Sequence, residues 1–115
     1  MPKISVKEIR SISKTALLQH GALDWVSEEV ADAVATSESV GNRICGLYYL
    51  ESYCEQLLSG RVNGKASPDV QLVRSGSVYV DADDGFAQPA FSKGLPEALK
   101  LAKKNGIASL SVGRA

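Results

Sequence analysis

The stretch Val70-Gln71-Leu72-Val73-Arg74-Ser75-Gly76-Ser77-Val78-Tyr79-Val80 decides the fold class. Val70 and Leu72, then Val78 and Val80, alternate with polar residues on either side of Ser75-Gly76. Period-two alternation across a short Gly-containing turn predicts a β-hairpin. Downstream, Asp81 to Gly85 is expected to be a loop. A helix should follow, opened either by Pro89 at its first position or near Pro96, where it would otherwise kink. Ala98, Leu99, Leu101 and Ala102 continue it and Asn105-Gly106 ends it. The apolar run Ile107 to Val112 then predicts a buried strand. A strand, helix, strand order usually continues into more of a sheet, so the chain is expected to stop partway through an α/β domain.

Upstream of Gly64 the period is helical. Ser5-Val6-Lys7-Glu8 has the form of a capping box. Ile9, Ile12, Ala16 and Leu17 recur at helical spacing, and Gly21 after His20 supplies a stop. A second helix is expected from Ser27, with Glu28 and Glu29 at its positive end and Val30, Ala31, Val34 and Val40 on its buried face. A third should run from about Leu47 to Ser59, with Leu47, Leu50, Cys54, Leu57 and Leu58 as its stripe and Gly60 closing it. The expected fold class is therefore α/β (α+β). A three-helix segment, residues 1–62, precedes the hairpin, helix and strand of an incomplete α/β domain, residues 63–115.

Composition narrows the function classes. The chain has 115 residues, 13 basic and 13 acidic, with 44% hydrophobic and 23% charged residues. Those values suit one folded domain or part of a larger one, and not a disordered chain. Zero net charge argues against a nucleic-acid binder, which needs a basic excess. No stretch approaches the ~20 apolar residues of a membrane helix. The opening Met1-Pro2-Lys3-Ile4 has no apolar signal core, so a cytoplasmic location is expected. Charge is uneven: residues 1–57 carry five basic and eight acidic side chains, residues 58–115 eight basic and five acidic. Cys45 and Cys54 are nine positions apart, on opposite sides of any continuous helix, which makes a disulfide between them improbable.

Neither phosphate-cradling glycine motif, GxGxxG or GxxxxGK[ST], is present. One histidine cannot build a histidine-rich metal site, and no metal is expected. Asp81, Asp83 and Asp84 before Gly85 miss the spacing of a calcium loop and read as an acidic turn. His20 suits a helix C-terminus. Tyr48, Tyr49 and Tyr53 read as core packing. Cys45, in Gly41-Asn42-Arg43-Ile44-Cys45-Gly46, lies just before the third helix. There a thiolate would be favoured by the helix N-terminus and by Arg43, although a small buried apolar residue explains the position equally.

Several segments, in order, resemble the N-terminal part of the malate/L-lactate dehydrogenase family, which also includes ureidoglycolate and sulfolactate dehydrogenases and cyclic-imine reductases. They are Ile4-Ser5-Val6-Lys7-Glu8-Ile9-Arg10, Val30-Ala31-Asp32-Ala33-Val34, Gly46-Leu47-Tyr48-Tyr49-Leu50-Glu51-Ser52-Tyr53, Leu57-Leu58-Ser59-Gly60-Arg61-Val62-Asn63, Asp84-Gly85-Phe86-Ala87-Gln88 and Ala102-Lys103-Lys104-Asn105-Gly106-Ile107. The resemblance implies an N-terminal fragment of a longer, dimeric enzyme that uses NAD or NADP, most of whose binding region lies outside this chain. It implies hydride transfer between the nicotinamide and a 2-hydroxy or 2-oxo acid.

The family's signature is Ser-His-Gly with an Arg shortly after. This chain has Ile44, Cys45 and Gly46, then Tyr49 at the Arg position, so only Gly46 matches. The resemblance makes Cys45 the candidate catalytic proton donor or acceptor, since a thiol can exchange a proton near neutrality. Arg43, Tyr49 and Gln88 become candidate substrate contacts. Tyr49 can hydrogen-bond a carboxylate but lacks the charged fork of Arg. The alternative expectation is a non-catalytic pseudoenzyme fragment or a helical dimerisation module.

Overall fold

The computed structural model describes residues 3–115. They form two compact units, divided between Lys65 and Ala66.

The first unit holds α1 (Val6–Gln19), α2 (Asp24–Ser39), a single 3-10 turn (Leu47–Tyr49) and α3 (Leu50–Ser59). The Ser5 hydroxyl caps α1 by accepting the Glu8 N–H at 3.1 Å, the first half of the expected box. The buried face of α1 is Ile9, Ser13 and Leu17. Ile12, expected inside, is 53% exposed. The 9-13-17 row places the face where α2 packs, rotated by one residue from the stripe read by hydrophobicity.

The second helix begins at Asp24, a turn earlier than Ser27, because Val26 already belongs to its buried face with Ser27, Val30, Ala31, Val34 and Ala35. Val40 caps its C-terminus in solvent, contrary to expectation. Burial of Leu17, Val30 and Val34 contributes roughly 1.5–3 kcal/mol each. Arg10 of α1 reaches across to Asp32 and, at 3.0 Å, to Glu28 of α2. The hydrogen bond to Asp32, then that to Glu28, raises its pKa. The expected third helix is really a 3-10 turn followed by α3, and Leu58 of the predicted stripe is exposed. Cys54 is the buried residue of α3, and Gly60 closes the helix at φ +81°.

The second unit holds β1 (Asp69–Arg74), β2 (Ser77–Asp81), α4 (Ala87–Asn105) and β3 (Ser109–Gly113). The strand order is β1-β2-β3, antiparallel between β1 and β2 and parallel between β2 and β3. The hairpin turns at Ser75-Gly76 as expected. Its register breaks between Leu72 and Arg74, and Leu72 is exposed. Val78, Val80 and Ala82 pack with Ala90 and Ala98 of α4, flanked by Val70, Leu101, Leu110 and Val112.

The fourth helix opens two residues before Pro89 and runs through Pro96. Pro89 is therefore not its first residue, but it still lies in the first turn, where amide donors have no intrahelical partner. Strand β3 begins at Ser109, and Ile107, expected to be buried in it, is exposed. The terminal strand is paired with β2 along one edge.

Candidate functional site

The loop bearing Arg43, Cys45 and Tyr49 is built from the end of α2. The Gly41 N–H donates to the Glu38 carbonyl at 3.1 Å and the Asn42 N–H to the Ser37 carbonyl at 2.8 Å, with Gly41 at φ +80°. This is the Schellman pattern, which stops the helix and turns the chain. The chain then folds through two short turns. The Gly46 N–H donates to the Arg43 carbonyl at 3.2 Å, and the Tyr49 N–H to the Gly46 carbonyl at 3.3 Å. The Cys45 N–H lies 3.5 Å from the Asn42 Oδ1.

One contact fixes the middle of this loop from outside. The Leu47 N–H donates to Glu38 Oε1 at 2.8 Å. A Cβ on Gly46 would overlap the Cγ, Cδ and Oε1 of Glu38. Sequence reasoning missed Glu38. The available signal was an acidic side chain in the last turn of a helix, where the dipole disfavours it.

Arg43, Cys45 and Tyr49 thus share one exposed loop of the first unit. Tyr48 and Tyr49 are not core residues, being 74% and 41% exposed. The Tyr48 and Tyr49 rings meet edge to face at 5.2 Å, and Tyr49 stacks on Tyr53 at 6.3 Å. Tyr49 is therefore held by its neighbours while it remains accessible. Both cysteines are free, Cys45 exposed and Cys54 buried. The buried-residue alternative fits Cys54 and not Cys45. Burial pushes the Cys54 thiol up, which disfavours its thiolate. His20 ends α1 as expected, with its ring Nδ1 2.6 Å from the Ala16 carbonyl.

Gln88 lies on the second unit, half-buried at the second position of α4. The acidic turn before it has an internal counter-ion that sequence reasoning also missed. Arg114 Nη1 lies 3.0 Å from Asp81 Oδ2, and its Nη2 3.0 Å from Asp84 Oδ2 and 3.8 Å from Asp83 Oδ1. The hydrogen bond to Asp84, then the charge of Asp81, raises the guanidinium pKa. No cluster suited to a metal ion occurs among the described residues, nor is any helix among them long and apolar enough to cross a membrane.

Residues 4–115 match the malate/L-lactate dehydrogenase family. A Δ1-pyrroline-2-carboxylate/Δ1-piperideine-2-carboxylate reductase of Pseudomonas putida is 32% identical over 96% of this chain and 32% of its own length. A (2R)-3-sulfolactate dehydrogenase (NADP+) of Chromohalobacter salexigens is 34% identical over 96% of this chain and 33% of its own. The crystal structure of a Δ1-piperideine-2-carboxylate reductase from Pseudomonas syringae superposes with a TM-score of 0.92 at 29% identity, covering 97% of this chain and 34% of that one. The chain spans about a third of the length of these relatives.

Proposed function

We propose, from the premise that the chain belongs to the malate/L-lactate dehydrogenase family, that it forms part of an NAD(P)-dependent oxidoreductase interconverting a 2-hydroxy acid and a 2-oxo acid. The family match across residues 4–115 carries the proposal. Residues 1–62 supply the helical segment with the Cys45 loop, and residues 63–115 begin the α/β domain. On this proposal the protein works as a homodimer in the cytoplasm.

Cys45 exchanges a proton with the substrate oxygen. Its exposure beside Tyr49 on one loop supports that role. The Tyr49 hydroxyl donates to the substrate carboxylate, and Arg43 adds positive charge on the same loop. Gln88 is a further polar contact. NAD or NADP would supply or take the hydride.

The turn before α4 does not fit the cofactor's pyrophosphate. It carries Asp81, Asp83 and Asp84, whose charge opposes a phosphate at that helix N-terminus, and Arg114 is committed to them. On this proposal most of the cofactor's binding region lies, as the family resemblance implies, outside these 115 residues.

A second reading has a specific support. Relatives over this same region are named reductases of cyclic imines bearing a 2-carboxylate. The same loop would then give its proton to nitrogen instead of oxygen. The test is NADH and NADPH oxidation by the natural gene product carrying this sequence, with 2-oxo acids and with Δ1-pyrroline-2-carboxylate. Turnover of 2-oxo acids supports the first reading, and turnover of the imine alone supports the second. No turnover of either supports the non-catalytic alternative. In the active case Cys45→Ala should lower kcat by about 10²-fold, and an unchanged rate with every substrate removes Cys45 from proton transfer.

A further inference from the structure

We propose that Glu38 is a positioning residue for the loop that presents Cys45 and Tyr49, and that Gly46 is glycine to leave room for it. This rests on the assignment of Cys45 and Tyr49 to the substrate site.

Glu38 has no local reason to be where it is. It sits in the last turn of α2, where a carboxylate faces the negative end of the helix dipole. Its compensation lies outside the helix. Oε1 accepts the Leu47 N–H at 2.8 Å, a charge-assisted bond stronger than a neutral one. That N–H opens the 3-10 turn at Leu47–Tyr49, and Gly46 before it has no side chain to cap the turn. Glu38 caps it from another element.

The pin is applied at the junction of two weak turns. Gly46 ends the turn begun at Arg43 and begins the turn closed at Tyr49, with backbone bonds of 3.2 and 3.3 Å. Leu47 lies two residues after Cys45 and two before Tyr49. Holding its amide against α2 therefore sets the thiol and the phenol relative to one another. A methyl group on Gly46 would occupy the place of the Glu38 side chain and push the carboxylate off the amide.

The experiment uses the natural gene product and its Glu38→Ala, Glu38→Gln and Gly46→Ala variants. Cys45 alkylation is timed by peptide mapping, and amide hydrogen exchange is followed over residues 42–50. Glu38→Ala and Gly46→Ala should speed exchange at Leu47 by about tenfold, the worth of a hydrogen bond to a charged group. They should change Cys45 alkylation by about threefold or more, because the loop that holds the thiol is released. Glu38→Gln keeps a neutral side-chain oxygen for the Leu47 N–H and should fall between the parent and Glu38→Ala in both. Unchanged Cys45 alkylation in both Glu38→Ala and Gly46→Ala overturns the proposal, even if their thermal stability falls. Glu38→Gln behaving like Glu38→Ala also overturns it, since charge and not the hydrogen bond would then be the cause. Neither readout needs a substrate, so a gene product that turns over nothing fails the oxidoreductase reading while the loop result still stands.

Discussion

Arg114 and Asp84 hold each other twice. The Asp84 N–H donates to the Arg114 carbonyl at 2.8 Å, and Arg114 Nη2 donates to Asp84 Oδ2 at 3.0 Å. Both residues have left-handed backbones, at φ +56° and +58°. The parallel pairing of β2 and β3 brings the residue after one strand beside the turn after the other.

Removing that guanidinium leaves Asp81, Asp83 and Asp84 crowded without their shared cation. Arg114→Ala should lower the melting temperature, and the loss should shrink as salt screens the carboxylates. Arg114→Lys should recover only part of it, because an ammonium cannot fork between two carboxylates. Thermal unfolding at low and high salt checks this. Equal stability of parent and Arg114→Ala at low salt would show that the contact contributes nothing.

Gly94 is buried on the sheet-facing side of α4. A Cβ there would overlap Val80 and Leu110. Alanine gains up to about 1 kcal/mol in helix propensity, but overpacking a filled core costs about 1–3 kcal/mol. Gly94→Ala should therefore be net destabilising in urea unfolding. A stabilised variant would mean that helix and sheet can separate freely.

The Ser13 and Ser27 hydroxyls are buried and have no hydrogen-bond partner among the described residues. An unpaired buried hydroxyl is a burden, so its removal should be neutral or worth up to about 1 kcal/mol of added stability. Ser13→Ala and Ser27→Ala should unfold at the parent's urea midpoint or above it. A clear drop for either would reveal a bond made by that hydroxyl.

Burial raises the Cys54 thiol above its unfolded range of about 8.5. The folded state then binds the proton more tightly than the unfolded state. This contribution to stability is fully present below about pH 8.5 and is lost as pH rises towards the folded value. Urea midpoints should fall on the alkaline side in the parent and fall less in Cys54→Ala. Thiol reagents at neutral pH should label Cys45 well before Cys54. Equal labelling would contradict the burial of Cys54.

Much of the architecture was legible because local chemistry governs it. Ser5 caps α1 whatever α1 later packs against. Gly60 and Gly106 end helices at positive φ because no side chain opposes that backbone. The alternation around Ser75-Gly76 specifies a hairpin, and the family resemblance survives across residues 4–115 because it was carried by the order of several short segments.

What failed depended on neighbours distant in sequence. Ile12 and Ile107 are as apolar as buried residues but lie exposed, whereas Ser13 is buried. Tyr49 and Tyr53 share a helical spacing suited to a core, yet Tyr48 and Tyr49 lie open at the candidate site.

The sequence by itself determined the helices, the hairpin, the family and the segment before the third helix on which Cys45 stands. Caps, turns and periodicity act over a few residues and are written in consecutive letters. Only the tertiary structure decided that Glu38 pins that loop and that Arg114 neutralises the acidic turn. Glu38 meets Leu47 across nine positions, and Arg114 meets Asp84 across thirty. Such contacts form only after helices and strands have packed, because a side chain's partner is set by where the backbone brings it.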